Sequence, residues 1–109
     1  MLKEQGTRTD GAAGTLLLTQ AAGTYRNMLT VFTKEAHPQE WAETQNILGN
    51  VLGDQGTHTG GEKGKRLLQQ AIEAYQSALQ IRTKDALPVQ WEQTMNNLKI
   101  AKKALEEMN

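Results

Sequence analysis

The chain repeats itself at a spacing of 50 residues, and the two copies align from end to end without a gap. Residues of several kinds recur at this spacing. Examples are Gly6 and Gly56, Gly14 and Gly64, Tyr25 and Tyr75, Pro38 and Pro88, Trp41 and Trp91, Asn46 and Asn96, and Leu48 and Leu98. A fixed period of about 20 to 50 residues indicates supersecondary units that stack, because one unit cannot bury its apolar face alone. We therefore predict a single domain, residues 1–109, of two repeats at approximately 1–50 and 51–100, with the last helix continuing to residue 108 as a solvent-facing cap.

An amphipathic stretch in the second copy gives the clearest structural signal. From about Glu62 to Asp85, apolar residues recur at spacings typical of a helix with one face in the core. These residues are Leu67, Leu68, Ala71, Ile72, Tyr75, Ala78 and Leu79, and the first copy carries the matching set Leu17, Leu18, Ala21, Tyr25, Met28, Leu29 and Phe32. Gly14 and Gly23 interrupt the first copy, each at a cost of about 1 kcal/mol relative to alanine. We expect its helix to be the less stable one.

Prolines mark the predicted start of the other two helices. Pro38 and Pro88 each follow a predicted helix break, since the residue before proline leaves the α region and proline is well accepted at the first helical position. The apolar side of the following helix is formed by Trp41, Thr44, Leu48, Val51 and Leu52 in the first copy and by Trp91, Met95, Leu98, Ala101, Leu105 and Met108 in the second. We predict a short turn before each of these helices, sealed by the tryptophan.

Glycines mark the predicted loops. Gly56–Gly61 and its copy Gly6–Gly11 are expected to leave the helix, because clustered glycine permits positive φ. Thr59 and Glu62 have the spacing of a capping box, which predicts a helix start after this loop. Residues 1–5 match the end of the preceding helix. The sequence thus predicts an all-α fold of about four helices in antiparallel hairpins, joined by two tight turns and one longer glycine-rich loop.

Composition narrows the function. Twelve basic and twelve acidic residues give a formal net charge of zero, so we expect neither nucleic acid nor an anionic membrane as a partner. Cysteine is absent, which excludes disulfides and thiolate chemistry and fits a reducing compartment. No apolar run approaches the roughly 18 residues of a membrane span, and the first residues lack the apolar core of a secretory signal. A cytoplasmic location is the prediction.

Catalytic and metal-binding patterns are not found. Ser77 lies within a predicted helix, and His37 and His58 occupy non-equivalent repeat positions, where we expect them to be surface residues in loops. Two scattered histidines without cysteine do not supply a metal site. The stretch from Gly60 to Arg66 lacks the serine or threonine that ends a phosphate-binding loop. We therefore predict no enzyme activity, no metal and no cofactor.

Two segments carry a family resemblance. Asn46–Leu52 contains a Leu-Gly pair with Leu52 three positions after the glycine, and Ala71–Tyr75 has the A-x3-aromatic pattern. Over nearly its whole length the chain thereby resembles the tetratricopeptide repeat, in a long-repeat bacterial variety. Two features depart from that family: Gln45 stands at the tryptophan position, and the period of 50 exceeds the usual one of about 34. The family's superhelical curvature is therefore not carried over.

The resemblance implies a function. In this family the first helices of successive units line a concave groove, and ligand contacts come from positions two before and two after the leucine of the Leu-Gly pair. Here these positions are Asn46 and Asn50, with Asn96 in the next copy, and Glu43, Gln93 and Lys103 lie near the same predicted face. The resemblance therefore implies a non-catalytic scaffold that binds another protein or peptide. A second interpretation of Asn46 and Asn96 is equally open: their amides bridge neighbouring helices and are satisfied internally.

A different class of function is a self-associating unit, or a fragment of a larger repeat protein. Leu17, Met28 and Phe32 are expected to lack the helix that would precede them in a full repeat. An exposed apolar patch of this kind often marks an interface, so a homo-oligomer is the alternative to the scaffold. Lys99 replaces the glycine of the Leu-Gly pair in the second copy, which indicates that no further helix packs closely there.

Overall fold

The computed structural model describes residues 12–108, in which four α-helices and no strand are found. The helices are α1 (Ala12–Val31), α2 (Pro38–Thr59), α3 (Gly61–Ala78) and α4 (Pro88–Met108). The predicted all-α fold is therefore confirmed, and both prolines open helices as expected. The helix end predicted for residues 1–5 and the loop predicted for Gly6–Gly11 lie outside the described residues.

The helices pack in the order in which they occur along the chain. The most extensive contact joins α2 to α3, while α1 packs against α2 and α4 against α3. Helices α2 and α4, which are equivalent in the two repeats, touch each other only slightly. Helix α1 packs mainly on α2, and it reaches α3 through a hydrogen bond of 3.3 Å from Arg26 Nη2 to Gln70 Oε1. The core accordingly lies around α2 and α3, and α1 and α4 form the two outer sides.

The glycine-rich connection is shorter than predicted. Helix α2 continues through most of the predicted Gly56–Gly61 loop to Thr59, and α3 starts again at Gly61, so Gly60 alone separates them. Gly60 and Gly61 have φ of 65° and 61°, which glycine adopts without the steric cost of a Cβ. This is the tightest connection in the described fold, whereas the two connections predicted to be tight span residues 32–37 and 79–87.

The predicted capping box is wrong. Thr59 ends α2, and the N-cap of α3 is Gly60, which makes no side-chain capping hydrogen bond. Glu62 contacts Lys65 instead, with 3.4 Å between Oε1 and Nζ. A two-glycine reversal places Thr59 on the preceding helix, where its side chain is too far back along the chain to act as the cap.

Helix α3 also ends earlier than the predicted boundary at Asp85. After Ala78 the hydrogen bonds tighten, and the amide of Ile81 donates to the carbonyl of Ala78 at 3.1 Å. The turn carries Arg82 into the interior, where it is 7% exposed. Periodicity alone could not reveal this end, because the apolar spacing of α3 continues through Leu79.

The turns that precede α2 and α4 are built alike. Thr33 Oγ1 accepts a hydrogen bond from the amide of Ala36 at 3.2 Å, and Thr83 Oγ1 accepts one from the amide of Ala86 at the same distance. These side-chain bonds satisfy backbone donors outside the helices. The sequence repeat is therefore also a repeat of local structure.

Each turn is covered by a lysine and a tryptophan. The Nζ atom of Lys34 lies 5.6 Å from the ring centroid of Trp41, and that of Lys84 lies 5.5 Å from the ring centroid of Trp91. Both indoles are half-buried. A cation over an indole face is attracted by the ring quadrupole, so these pairs hold the turn against the first part of the following helix.

The predicted apolar stripe of α3 is largely confirmed, but that of α1 is not. On α3 the buried members are Leu68, Ala71, Tyr75 and Ala78. On α1, Leu17 is 56% exposed and the other predicted members are only half-buried, while Ala22, which is not one of them, is fully buried. The difference follows from packing, because α3 packs extensively against both α2 and α4, whereas α1 packs mainly against α2.

Candidate functional site

A cleft lies between α2 and α4, with α3 as its floor. It has a volume of about 350 Å³. Helix α2 contributes Asn50, Gly53, Asp54 and Thr57, helix α4 contributes Asn97, Ile100, Ala101 and Ala104, and Leu68 and Tyr75 come from α3. We call this site the α2–α4 cleft. Both walls pack against α3, and several wall positions carry small residues, Gly53, Ala101 and Ala104, which leave space between the helices.

The two walls of the cleft differ in chemical character. At two aligned repeat positions, the α2 residue is polar and the α4 residue is apolar. These pairs are Asn50 with Ile100 and Asp54 with Ala104, and all four residues line the cleft. Ile100 is 68% exposed, so its side chain is available at the surface of the cleft. The cleft is thus polar and acidic on the α2 side and mainly apolar on the α4 side, where Asn97 is the polar residue.

Tyr75 links the floor of the cleft to its polar wall. The residue is 4% exposed, and its hydroxyl donates a hydrogen bond of 2.6 Å to Oδ1 of Asn50. Burial, and secondarily the negative charge of Asp54, raises the pKa of Tyr75 to about 12. The phenol is therefore neutral at physiological pH, and it holds the amide of Asn50 in one orientation.

The raised pKa of Tyr75 predicts a loss of stability at high pH. The unfolded chain releases this proton near pH 10.0, whereas the folded protein keeps it until about pH 12. The stabilisation is present in full below pH 10 and is lost as the pH rises toward 12, by up to roughly 2–3 kcal/mol. Urea unfolding across this range measures it. Tyr75→Phe is the control, because it removes this contribution while lysines titrate as before. A decline equally steep in that variant contradicts the assignment.

Asn46 is used inside the protein. Its side chain is 8% exposed, and Oδ1 accepts hydrogen bonds from Thr94 Oγ1 at 3.0 Å and from Asn97 Nδ2 at 3.3 Å. Arg82 Nη1 in turn donates to Thr94 Oγ1 at 3.2 Å. These bonds cross from α2 to α4 and give Asn46 the bridging role that was the second interpretation of the sequence. Asn96, its repeat equivalent, is exposed.

The six predicted contact residues do not form one surface. Asn50 alone lines the α2–α4 cleft, and Asn46 is buried behind it. Gln93, Asn96 and Lys103 are exposed on α4 and do not line the cleft. Glu43 lies near the start of α2, beside a small pocket that also contains Arg82.

The different surroundings of Asn46 and Asn96 lead to a prediction. Asn46→Ala leaves the buried hydroxyl of Thr94 without its acceptor, so we expect a loss of about 1–3 kcal/mol in the free energy of unfolding. Asn96→Ala changes an exposed side chain and should stay within about 0.5 kcal/mol. Denaturant unfolding of both variants tests this. Equal losses mean that the bonds between Asn46 and α4 do not stabilise the fold.

Most residues that line the α2–α4 cleft are not among those predicted from the sequence to contact a partner. Asp54, Asn97 and Ile100 lie at positions where the two copies differ, whereas the predicted contact residues Asn46 and Asn96 are identical in the two copies. A difference between the two copies is the sequence feature that indicates these residues. Where the repeat exchanges a polar for an apolar residue, as at Ile47 and Asn97, the two equivalent helices cannot have the same surroundings.

The two histidines lie at separate places in the fold. His37 is exposed and makes an edge contact with Phe32 at a ring-centroid distance of 5.6 Å. His58 belongs to the last turn of α2, so its predicted loop position is wrong. Within residues 12–108 no three His, Asp or Glu side chains are placed to hold a metal. None of the four helices found there combines the length and apolar character needed to cross a bilayer.

Searches with this chain against protein-family models, curated proteins and solved structures found no match. The resemblance to the tetratricopeptide repeat therefore stays a prediction based on its Leu-Gly and A-x3-aromatic segments. The class defined by the fold is an all-α protein of antiparallel helical hairpins.

Proposed function

We propose that this protein is a non-catalytic binding module that takes up a segment of another polypeptide in the α2–α4 cleft. The proposal rests on one observation: a polar wall from α2 and a mainly apolar wall from α4 face each other across α3. A peptide segment presents backbone amides and carbonyls beside apolar side chains, so one face of it suits Asn50 and the other suits Ile100. Binding sites commonly combine an apolar lining with a few fixed polar groups.

The charge of the cleft favours a basic segment. Asp54 is the one ionised group in the lining, and no lysine or arginine of the described residues forms an ion pair with it. A lysine or arginine side chain of a partner can lay its aliphatic stem along Ile100 and Ala104 while its charged end reaches Asp54. The cleft is short, so we expect micromolar or weaker affinity, on the order of −8 kcal/mol.

Peptide pools provide the test. Acetylated and amidated octapeptides with a fixed central lysine are compared with pools that have a fixed central glutamate, and binding is followed by amide chemical shifts. We expect the lysine pool to shift residues of the cleft, Asp54→Asn to weaken that binding, and Ile100→Ser to weaken it as well. Val89→Ser is the matched control, since Val89 is a 71% exposed aliphatic residue of α4 outside the cleft. Shifts outside the cleft, or equal loss in all three variants, overturn the proposal.

Self-association is a second candidate, favoured by the surface of α1. Leu16, Leu17 and Val31 are 58%, 56% and 67% exposed. At about 100° per residue they fall on one side of the helix, and exposed apolar patches mark interfaces. We propose that a second copy of the chain covers this side.

The partner surface in such a dimer is α1 itself. Helix α4 has Lys99 and Glu106 where α2 has Gly49 and Gly56 against α3. A helix cannot approach α4 as closely as α3 approaches α2, which disfavours head-to-tail stacking and favours a closed twofold pair. Light scattering at several concentrations tests this. We expect a dimer that Leu17→Ser dissociates and Val89→Ser does not, and a monomer at all concentrations rules it out.

A further inference from the structure

A second, smaller pocket lies at the other end of α2 and α4, away from the cleft. It has a volume of about 90 Å³. Its lining consists of Gln39, Ala42, Glu43, Arg82, Leu87 and Gln90. We call it the Arg82 pocket. It lies between the first turns of two helices, because α2 begins at Pro38 and α4 at Pro88.

Arg82 is the unusual member of this pocket. The residue is 7% exposed, yet the one hydrogen bond of its guanidinium within the described residues is that of Nη1 to Thr94 Oγ1. A guanidinium has five N–H donors. No carboxylate of the described residues lies within the 4.0 Å of an ion pair. The negative charge of Glu43 acts on this cation from beyond ion-pair distance, and no guanidinium nitrogen of Arg82 is a fully buried atom without a partner. The donors that Thr94 does not use are therefore open to a ligand that enters the pocket.

Glu43 does not form an ion pair with Arg82. Its side chain is exposed although it lines the pocket, and it remains beyond ion-pair distance of Arg82. It adds one negative charge at the rim. That charge opposes a doubly charged anion more strongly than a singly charged one, which narrows the ligand to a monovalent group.

The surroundings of the guanidinium also suit an anion. Gln39 and Gln90 belong to the first turns of α2 and α4, where backbone amides have no acceptor within the helix and the helix dipole is positive. Their side-chain amides add further donors. The planar fork of arginine matches the two oxygens of a carboxylate.

We propose that the Arg82 pocket binds a single carboxylate group, either of a free acetate-sized acid or of an aspartate or glutamate side chain on a partner. The volume admits a carboxylate with its attached carbon and little more. The site occurs once, because the first copy has the apolar Phe32 where the second has Arg82. The proposal is independent of the α2–α4 cleft.

Acetate titration at constant ionic strength, with chloride as the exchanged anion, tests the pocket. The Nε–H resonance of Arg82 and the amides of Gln39 and Gln90 should shift and saturate with acetate in the wild type. Glu43→Gln should tighten binding by about three- to tenfold, since it removes a like charge at the rim. Arg82→Gln should abolish the shifts, whereas Arg66→Gln, at an exposed arginine of α3, should leave them unchanged.

The Glu43→Gln variant keeps the test decisive even if Arg82→Gln fails to fold. Unchanged acetate affinity in Glu43→Gln overturns the proposal, as do equal shifts with chloride or a Glu43–Arg82 ion pair that acetate does not displace. A second titration with acetylated, amidated glutamate separates the two sources. Saturation with this compound and with acetate assigns the pocket to a partner's side chain, and saturation with acetate alone assigns it to a free acid.

Discussion

Replacing Tyr75 by alanine is expected to lower the free energy of unfolding by about 3–5 kcal/mol, the usual cost of removing a large aromatic side chain from a core. The ring packs in the main core cluster and is 4% exposed. It also lies against Gly49, where an added Cβ would come within 2.5 Å of the ring. No other side chain can fill that space without rearrangement, so the cavity should remain largely open. Equilibrium denaturation measures the loss.

The repeat supplies a matched control for this substitution. Tyr25 occupies the same position in the first copy but is only half-buried, because α1 lies at the outside of the described fold and packs mainly on α2. Tyr25→Ala should therefore cost clearly less than Tyr75→Ala, although the residue type and the local sequence pattern are the same. Equal losses contradict the unequal burial of the two helices.

Gly64→Ala is expected to destabilise the protein by about 1–3 kcal/mol, even though alanine favours a helix by about 1 kcal/mol relative to glycine. A Cβ at Gly64 would lie 2.5 Å from the carbonyl oxygen of Gly56 and 3.0 Å from the terminal methyl of Met108. The nearer atom belongs to backbone, which moves only if α2 and α3 separate. The midpoint and slope of denaturant unfolding give the change.

Gly53→Ala is the corresponding control. Gly53 lies in α2, and an added Cβ would meet no atom within 4 Å. The substitution should raise stability by up to about 1 kcal/mol through helix propensity alone. If Gly64→Ala also stabilises the protein, the close approach of α2 and α3 at Gly56 is not present in solution.

The glycines also explain where the sequence-based prediction failed. Gly56 was expected to leave the helix, but it lies within α2 and provides the close contact with α3. Glycine lowers helix propensity at any position, and only a neighbouring element reveals that the missing Cβ is needed for packing. Gly60 and Gly61 do perform the predicted reversal with positive φ. A run of glycines therefore locates a connection but does not give its length.

The arginine at position 82 shows a similar limit for the polar sites. Sequence periodicity continues through Leu79, so the early end of α3 and the burial of Arg82 were not predicted. The partners of Arg82 and of Asn46 come from α4, which is distant in the sequence. Hydrogen bonds between separate helices depend on their relative position, and a pattern within one helix does not contain that information.

The sequence by itself determined the all-α class, the two repeats, the proline starts of α2 and α4, and the core face of α3. These features depend on local preference and on spacing along one helix. The tertiary structure decided which of two equivalent residues is buried. Asn46 and Asn96 share a repeat position, but Asn46 has α4 beside it and Asn96 has solvent. The α2–α4 cleft arose in the same way, since its two walls come from separate helices that only the packing of α3 brings to face each other.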